Sequence, residues 1–195
     1  MESPSKKQKE VKIPSFAFIG KMCSGKNTYA DRLRAHLELE FGVSVYRPAI
    51  SEKINEIAKD LFGMKEKDRM LMQDIGSKMK EIDKRVWARY LVRDIRGRGR
   101  MPFVIDGLRF PEDIEVLKEN FPELVVVKLE SDEKERLEMY RKTYGRYPTK
   151  KELENVTERE IARLPADMTL FNKYDKEELE LQIEGIVKSI KDVNQ

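Results

Sequence analysis

The sequence predicts an α/β fold, a three-layer sandwich in which a five-stranded parallel sheet carries helices on both faces and a helical lid. Three observations predict it. Short apolar runs alternate with helical patterns along the chain. A glycine-rich loop, Gly20-Lys-Met-Cys-Ser-Gly-Lys26, joins the first run to the first helix. The segment 132–165 is helical in pattern yet almost wholly charged.

The apolar runs place strands at 15–19, 43–46, 102–105, 124–129 and 168–171. The first helix starts in the loop, sets Tyr29, Leu33 and Leu37 near one stripe, and stops before Gly42, a residue type suited to the left-handed position that ends helices. Ser51 can cap a second helix over 52–62, closed by Gly63. Asp68 can cap a further helical pattern that runs to Ile95 with a break around Asp83, and Pro111 opens another helix in the favoured first-turn position. Within 132–165, Thr149 with Glu152 and Thr157 with Glu160 both fit capping boxes. This segment has too few apolar residues to be core, and reads as a lid over a site; a solvated helical excursion is the alternative. A last helix spans 176–193.

The length of 195 residues suits one domain, 13–195, behind a disordered tail at 1–12. Charged residues make up 38% of the chain but nearly balance at a formal +3, which reads as solvated helix faces and only weakly as a nucleic-acid surface. One cysteine excludes an internal disulfide, and one histidine excludes a histidine-based triad or metal cluster. No apolar stretch approaches the ~20 residues that span a bilayer, and the lysine-rich start lacks the apolar segment of a secretion signal, so no membrane partner and a cytoplasmic location are expected.

The loop carries most of the functional information. Its spacing, G-x4-G-K after a buried strand and before a helix, is that of a P-loop, the strand–loop–helix unit of P-loop NTPase-type sheets. Small residues let successive backbone N–H groups converge on a polyphosphate, and the helix start adds unpaired donors and a positive dipole end. Gly20, Lys21, Met22, Cys23, Ser24, Gly25 and Lys26 would form this cradle together with Asn27 and Thr28, with Lys26 the mobile cation for the outer phosphates. Asn27 stands where Ser or Thr usually ligates magnesium; its amide oxygen is a neutral ligand that supplies no charge. Thr28 lies about 100° further round the helix and does not simply substitute.

Ligands of open α/β sheets bind at the carboxyl ends of the strands. Asp106 and Arg109 follow the third run and so face the loop, whereas the run Arg96-Gly-Arg98-Gly-Arg100 precedes it and faces away. Asp106 could hold magnesium through water or receive an acceptor proton, and Arg109 could grip an acceptor phosphate bidentately; a surface ion pair is the plain alternative. Gln73 and Lys80 are seven apart and share a helix face, with Gly76 between them leaving room for a ligand. Cys23 could have its pKa lowered by the loop's N–H field, His36 reads as exposed, and Trp87 reads as a packing anchor more readily than a base-stacking platform.

The loop, with Leu71-Met-Gln73, Gly76, Asp83-Lys-Arg-Val-Trp87 and Val104-Ile-Asp106-Gly-Leu-Arg109, resembles the P-loop deoxynucleoside monophosphate kinases of phage and their bacterial relatives. It is similar, more distantly, to dephospho-CoA kinases and P-loop phosphomevalonate kinases. The resemblance implies ATP with Mg2+ and transfer of the γ-phosphoryl to a nucleoside or deoxynucleoside monophosphate. It implies Lys26 on the transferring phosphate, Arg109 on the acceptor phosphate, and Arg136 or Arg141 delivered by the lid. Arg141 is the leading candidate because it follows the fourth strand by one helix length. Lys53, Gln73 and Lys80 would line the acceptor site, and Asn172 and Lys173 would lie near the ATP base. Relatives often carry Asp at Asn27 and Arg at Lys80, which bears on metal affinity and on the acceptor. A different acceptor (dephospho-CoA, phosphomevalonate, a hydroxymethylated base in DNA) and a non-catalytic ATP-binding switch are the competing readings.

Overall fold

The computed structural model describes residues 11–161 and 163–194, with the side chains of Val156 and Thr157 left aside. The expected tail therefore lies largely outside the described residues. Four strands, β1 (Phe16–Ile19), β2 (Val104–Asp106), β3 (Val125–Ser131) and β4 (Met168–Asn172), form a parallel sheet in the order β2-β1-β3-β4. Alternation of side chains along β1 builds both faces. Phe16 and Phe18 point into a cluster with Tyr29, Leu33, Leu37 and Ile183, while Ala17 and Ile19 join Leu91, Ile95, Ile105 and Leu117 on the other side. Burial on both faces explains why this strand reads as an unbroken apolar run.

The expected fifth strand is not formed. At 43–46 the chain makes only an isolated parallel bridge, Tyr46 to Phe103, with Tyr46 N–H donating to Pro102 O and Val104 N–H to Tyr46 O, both at 2.9 Å. The ladder cannot lengthen. The next donor toward β2 after Tyr46 would be residue 48, and Pro48 has no N–H; Val104 O accepts from Arg47 Nη1 at 3.3 Å instead.

Helix α1 (Lys26–Phe41) leaves the loop and ends at left-handed Gly42, as expected. Helix α2 (Ile50–Phe62) begins two residues earlier than predicted; Ala49, not Ser51, is its N-cap, with no side-chain cap. Asp68 caps α3 (Arg69–Ile82) by accepting from Met70 and Leu71 N–H, and the break at Asp83 separates it from α4 (Val86–Gly97). Pro111 opens α5 (Pro111–Asn120). The charged segment folds as α6 (Glu133–Tyr144), α7 (Lys150–Leu153) and α8 (Val156–Ile161), with the Thr149–Glu152 capping box present. Thr157 falls inside α8, so the second expected box is not its start, and the Thr157 side chain lies outside the described atoms. Two features depart from a purely solvated segment: Ile161 and Leu164 enter the core, and Arg136, Tyr140 and Glu158 are buried. Helix α9 (Lys176–Asn194) closes the fold against α1.

Candidate active site

The loop 20–26 connects β1 to α1, and two of its glycines answer to specific close approaches. A Cβ on Gly20 would lie 2.6 Å from Leu129 O of β3, and one on Gly25 would lie 2.5 Å from Asn172 Nδ2 of β4. Both residues have positive φ, 153° and 94°. The α1 N-terminus carries no side-chain cap and no acidic residue in its first turn, so its donors and dipole end remain available to an anion.

The end of β4 buttresses the loop from behind. Asn172, buried, donates from Nδ2 to Ser24 O at 3.0 Å and accepts Tyr174 N–H at 2.8 Å, while Tyr174 OH donates to Cys23 O at 2.8 Å. The Asn172 side chain is thus spent on the loop backbone. Lys173 is exposed and pairs with Glu178 at 3.4 Å. Tyr174 was not anticipated from the sequence; a tyrosine after an edge strand carries no local signal of such a role.

Lys26 Nζ donates to Gly20 O at 2.7 Å and Lys21 O at 2.6 Å, folding back over the loop. Burial, and next the nearby Arg109 guanidinium, pull its pKa down to about 8, against the opposing pull of Glu158 and Asp106. The charges of all three thus act on one ammonium. Arg109 is exposed, and no ion pair or hydrogen bond of its guanidinium is seen among the described residues. The thiol of Cys23 behaves opposite to expectation: burial pushes its pKa up, outweighing Lys26 and Arg136.

Asp106 is the last residue of β2, and its Oδ1 accepts from Arg47 Nη1 at 2.7 Å. Arg47 also reaches Asp31 through Nε at 3.1 Å and Val104 O through Nη1 at 3.3 Å. The rule that placed Asp106 at the active end applies equally to Arg47, which follows 43–46 directly, so this residue was legible in the sequence and overlooked.

The lid supplies two further groups. Both carboxylate oxygens of Glu158 lie within reach of Met22 N–H, at 3.1 and 3.0 Å, and Arg136 Nη1 donates to Met22 O at 3.4 Å. Of the two lid arginines, Arg136 is the one brought to the loop. Arg141, five residues on and about 140° round the helix, is exposed and pairs with Glu138 at 3.0 Å. A cleft of about 360 Å3 between loop and lid is lined by Lys21, Arg136, Glu158, Arg159 and Arg163 among others.

The expected acceptor residues lie on α2 and α3, which pack together at Ile54 and Gly76. Lys53 on α2 pairs with Glu56 at 2.9 Å, and Gln73 on α3 is exposed. Lys80 binds buried Asp113 at 3.1 Å and sits 3.6 Å from the Phe110 ring centroid, which ties α3 to the segment carrying Arg109. Burial raises the Asp113 pKa in spite of Lys80. Gly76 serves helix packing and not ligand approach: its added Cβ would lie 3.3 Å from Ile54 Cδ1, and its carbonyl accepts Trp87 Nε1–H at 3.0 Å. Trp87 is a buried anchor. His36, expected exposed, is largely covered and pairs with Glu180 at 3.0 Å.

Magnesium would find a modest donor set here. Asn27 and Thr28 are exposed with no side-chain bond among the described residues, and Asp106 keeps its second oxygen. Among the described residues no group of three or more His, Cys, Asp or Glu side chains could hold a metal alone.

No protein-family model matches the chain, and no curated protein matches it in sequence. Among solved structures it is similar to a gluconokinase from Sinorhizobium meliloti 1021, with a TM-score of 0.57 and 14% identity over 92% of this chain and 95% of that one. A shikimate kinase from Aquifex aeolicus vf5 gives 0.53 and 16% over 91% and 96%. APS kinase CysC from Mycobacterium tuberculosis, solved with AMPPNP and APS, gives 0.50 and 12% over 91% and 98%. At such identities the likeness is one of fold alone.

Proposed function

We propose that the protein is an ATP-dependent phosphotransferase that moves the γ-phosphoryl of ATP to a small phosphorylated acceptor, with a nucleoside or deoxynucleoside monophosphate as the leading class. One observation carries the reading: a loop with two glycines pressed against β3 and β4 opens onto the uncapped start of α1 beside Lys26, while Arg109, whose charge acts on that ammonium, is exposed with no ion pair among the described residues. A loop cation and a second, exposed cation at the same end of the sheet suit two anions, one on each. A similar fold captured with AMPPNP and a second phosphorylated ligand, that of APS kinase, fits this arrangement.

In this reading the loop amides and Lys26 hold the outer phosphates of ATP, and Arg109 fixes the acceptor phosphate in line with them. The new bond forms from an acceptor oxygen to the γ-phosphorus as the β–γ bridging bond breaks, and ADP departs with the electron pair. Such transfer needs placement and neutralisation of charge more than covalent chemistry. Magnesium, bound with the nucleotide, would neutralise the outer phosphates. Asn27 and the second oxygen of Asp106 suit it, with Arg47 holding Asp106 in place. Arg136 on the lid adds positive charge above the loop, and lid closure keeps water, the competing acceptor, out.

Coupled ADP release, screened across ribo- and deoxynucleoside monophosphates, dephospho-CoA and phosphomevalonate, tests the proposal. Release that rises at least tenfold with one acceptor supports it; ATP binding with no acceptor-dependent release points to a nucleotide-binding switch instead.

A further inference from the structure

The Met22 peptide is gripped at both ends by the lid. Its N–H faces both oxygens of Glu158 at 3.0 and 3.1 Å, and its carbonyl accepts from Arg136 Nη1 at 3.4 Å. Glu158 is only 5% exposed, and its charge acts on both Lys26 and Cys23, so it lies inside the loop's electrostatic field. A carboxylate buried against a loop amide, with its charge acting on the loop ammonium, is placed like a phosphate oxygen pair.

We infer that Glu158 is a resident anion that latches the lid onto the phosphate loop and must be displaced before a triphosphate can be seated. The inference rests on the phosphate-binding reading of the loop and adds to it a competition between a side chain and the substrate. The loop amides converge on one small volume, and Met22 N–H cannot serve the carboxylate and a phosphate oxygen together. Triphosphate and carboxylate also repel, so arrival of the nucleotide frees Glu158 and leaves Glu133 the one acid in a cleft lined by Lys21, Arg136, Arg159 and Arg163. The latch satisfies the otherwise unpaired loop amide while the site is empty and lowers apparent nucleotide affinity by the fraction of molecules it holds shut.

Two measurements on the full chain test this: hydrogen exchange at the Met22 amide without nucleotide, and calorimetric titration with AMPPNP and magnesium. Glu158→Ala is expected to speed Met22 exchange at least tenfold and to tighten AMPPNP binding at least fivefold. Glu158→Gln, which keeps the shape and a neutral acceptor, falls between. Faster exchange with unchanged or weaker AMPPNP binding overturns the inference while leaving the phosphate-binding reading intact. Exchange that does not change overturns the contact itself. Failure of both the wild type and Glu158→Ala to bind AMPPNP defeats the phosphate-binding reading and takes the latch with it.

Discussion

Arg47 Nη1 lies 2.7 Å from Asp106 Oδ1, joining the chain just after the expected second strand to the carboxyl end of β2. Both side chains are 16% exposed, so the pair is largely shielded from water, and Arg47 Nε reaches Asp31 as well. Removing one partner of such a pair strands the other. Arg47→Ala is expected to cost about 2 kcal/mol of stability and to lower turnover at least tenfold by releasing Asp106. Arg47→Lys, which keeps the charge but loses the fork that binds both acids, recovers part of the stability and little of the turnover. Thermal denaturation and acceptor-dependent ADP release read the two effects separately.

The Lys26 pKa of about 8, below the ordinary 10.5, sets the sign of two pH effects. Between those values the unfolded chain holds a proton at this residue that the folded protein has released, so the Lys26 contribution to stability rises with pH across that window. Lys26→Met removes the buried cation. Its advantage in melting temperature over wild type is therefore expected to be largest at pH 7 and smaller at pH 9.5. ATP binding runs the other way, because the phosphates need the ammonium: affinity is expected to fall as pH rises through about 8 in wild type and to stay flat in Lys26→Met. Melting curves and titrations at both pH values check the pair of trends.

Gly20 leaves no room for a side chain. A Cβ there would stand 2.6 Å from the Leu129 backbone carbonyl, an atom of β3 that cannot move aside without disturbing the sheet, and 2.7 Å from Ser24 Oγ. With the added strain of φ at 153°, Gly20→Ala is expected to cost about 3 kcal/mol, measured by chemical denaturation.

The two lid arginines are separable by mutation. Arg136 is 3% exposed and touches the loop, whereas Arg141 is held outside by Glu138. Arg136→Ala is expected to lower kcat about 100-fold, and Arg141→Ala to leave it within about threefold. The reverse order of effects would place the lid cation at Arg141.

Much of this site was readable before any coordinates. Loop, strand and helix at 15–41 are contiguous, so local spacing and apolar pattern were enough to place Lys26 and the glycines. Asp68 and Pro111 ended up at the helix starts their chemistry favours. What failed depended on distant partners. The run 43–46 has strand character, but its ladder stops where Pro48 offers no donor to Val104 O, which Arg47 Nη1 fills instead. Lys80 and Asn172 carry groups suited to a ligand, and their contacts with Asp113 and Ser24 come from segments far off in sequence. Glu158 sits in a run of charges where nothing marks one acid from the next; only the fold brings it to Met22.

Calorimetric titration of AMPPNP with magnesium into the wild type and Lys26→Ala, each verified as folded by circular dichroism, decides whether this loop is a triphosphate cradle. Saturable one-to-one binding in wild type, weakened at least 100-fold by Lys26→Ala, is the expected result. Equal affinity in the two proteins, or no binding in the wild type, would contradict it.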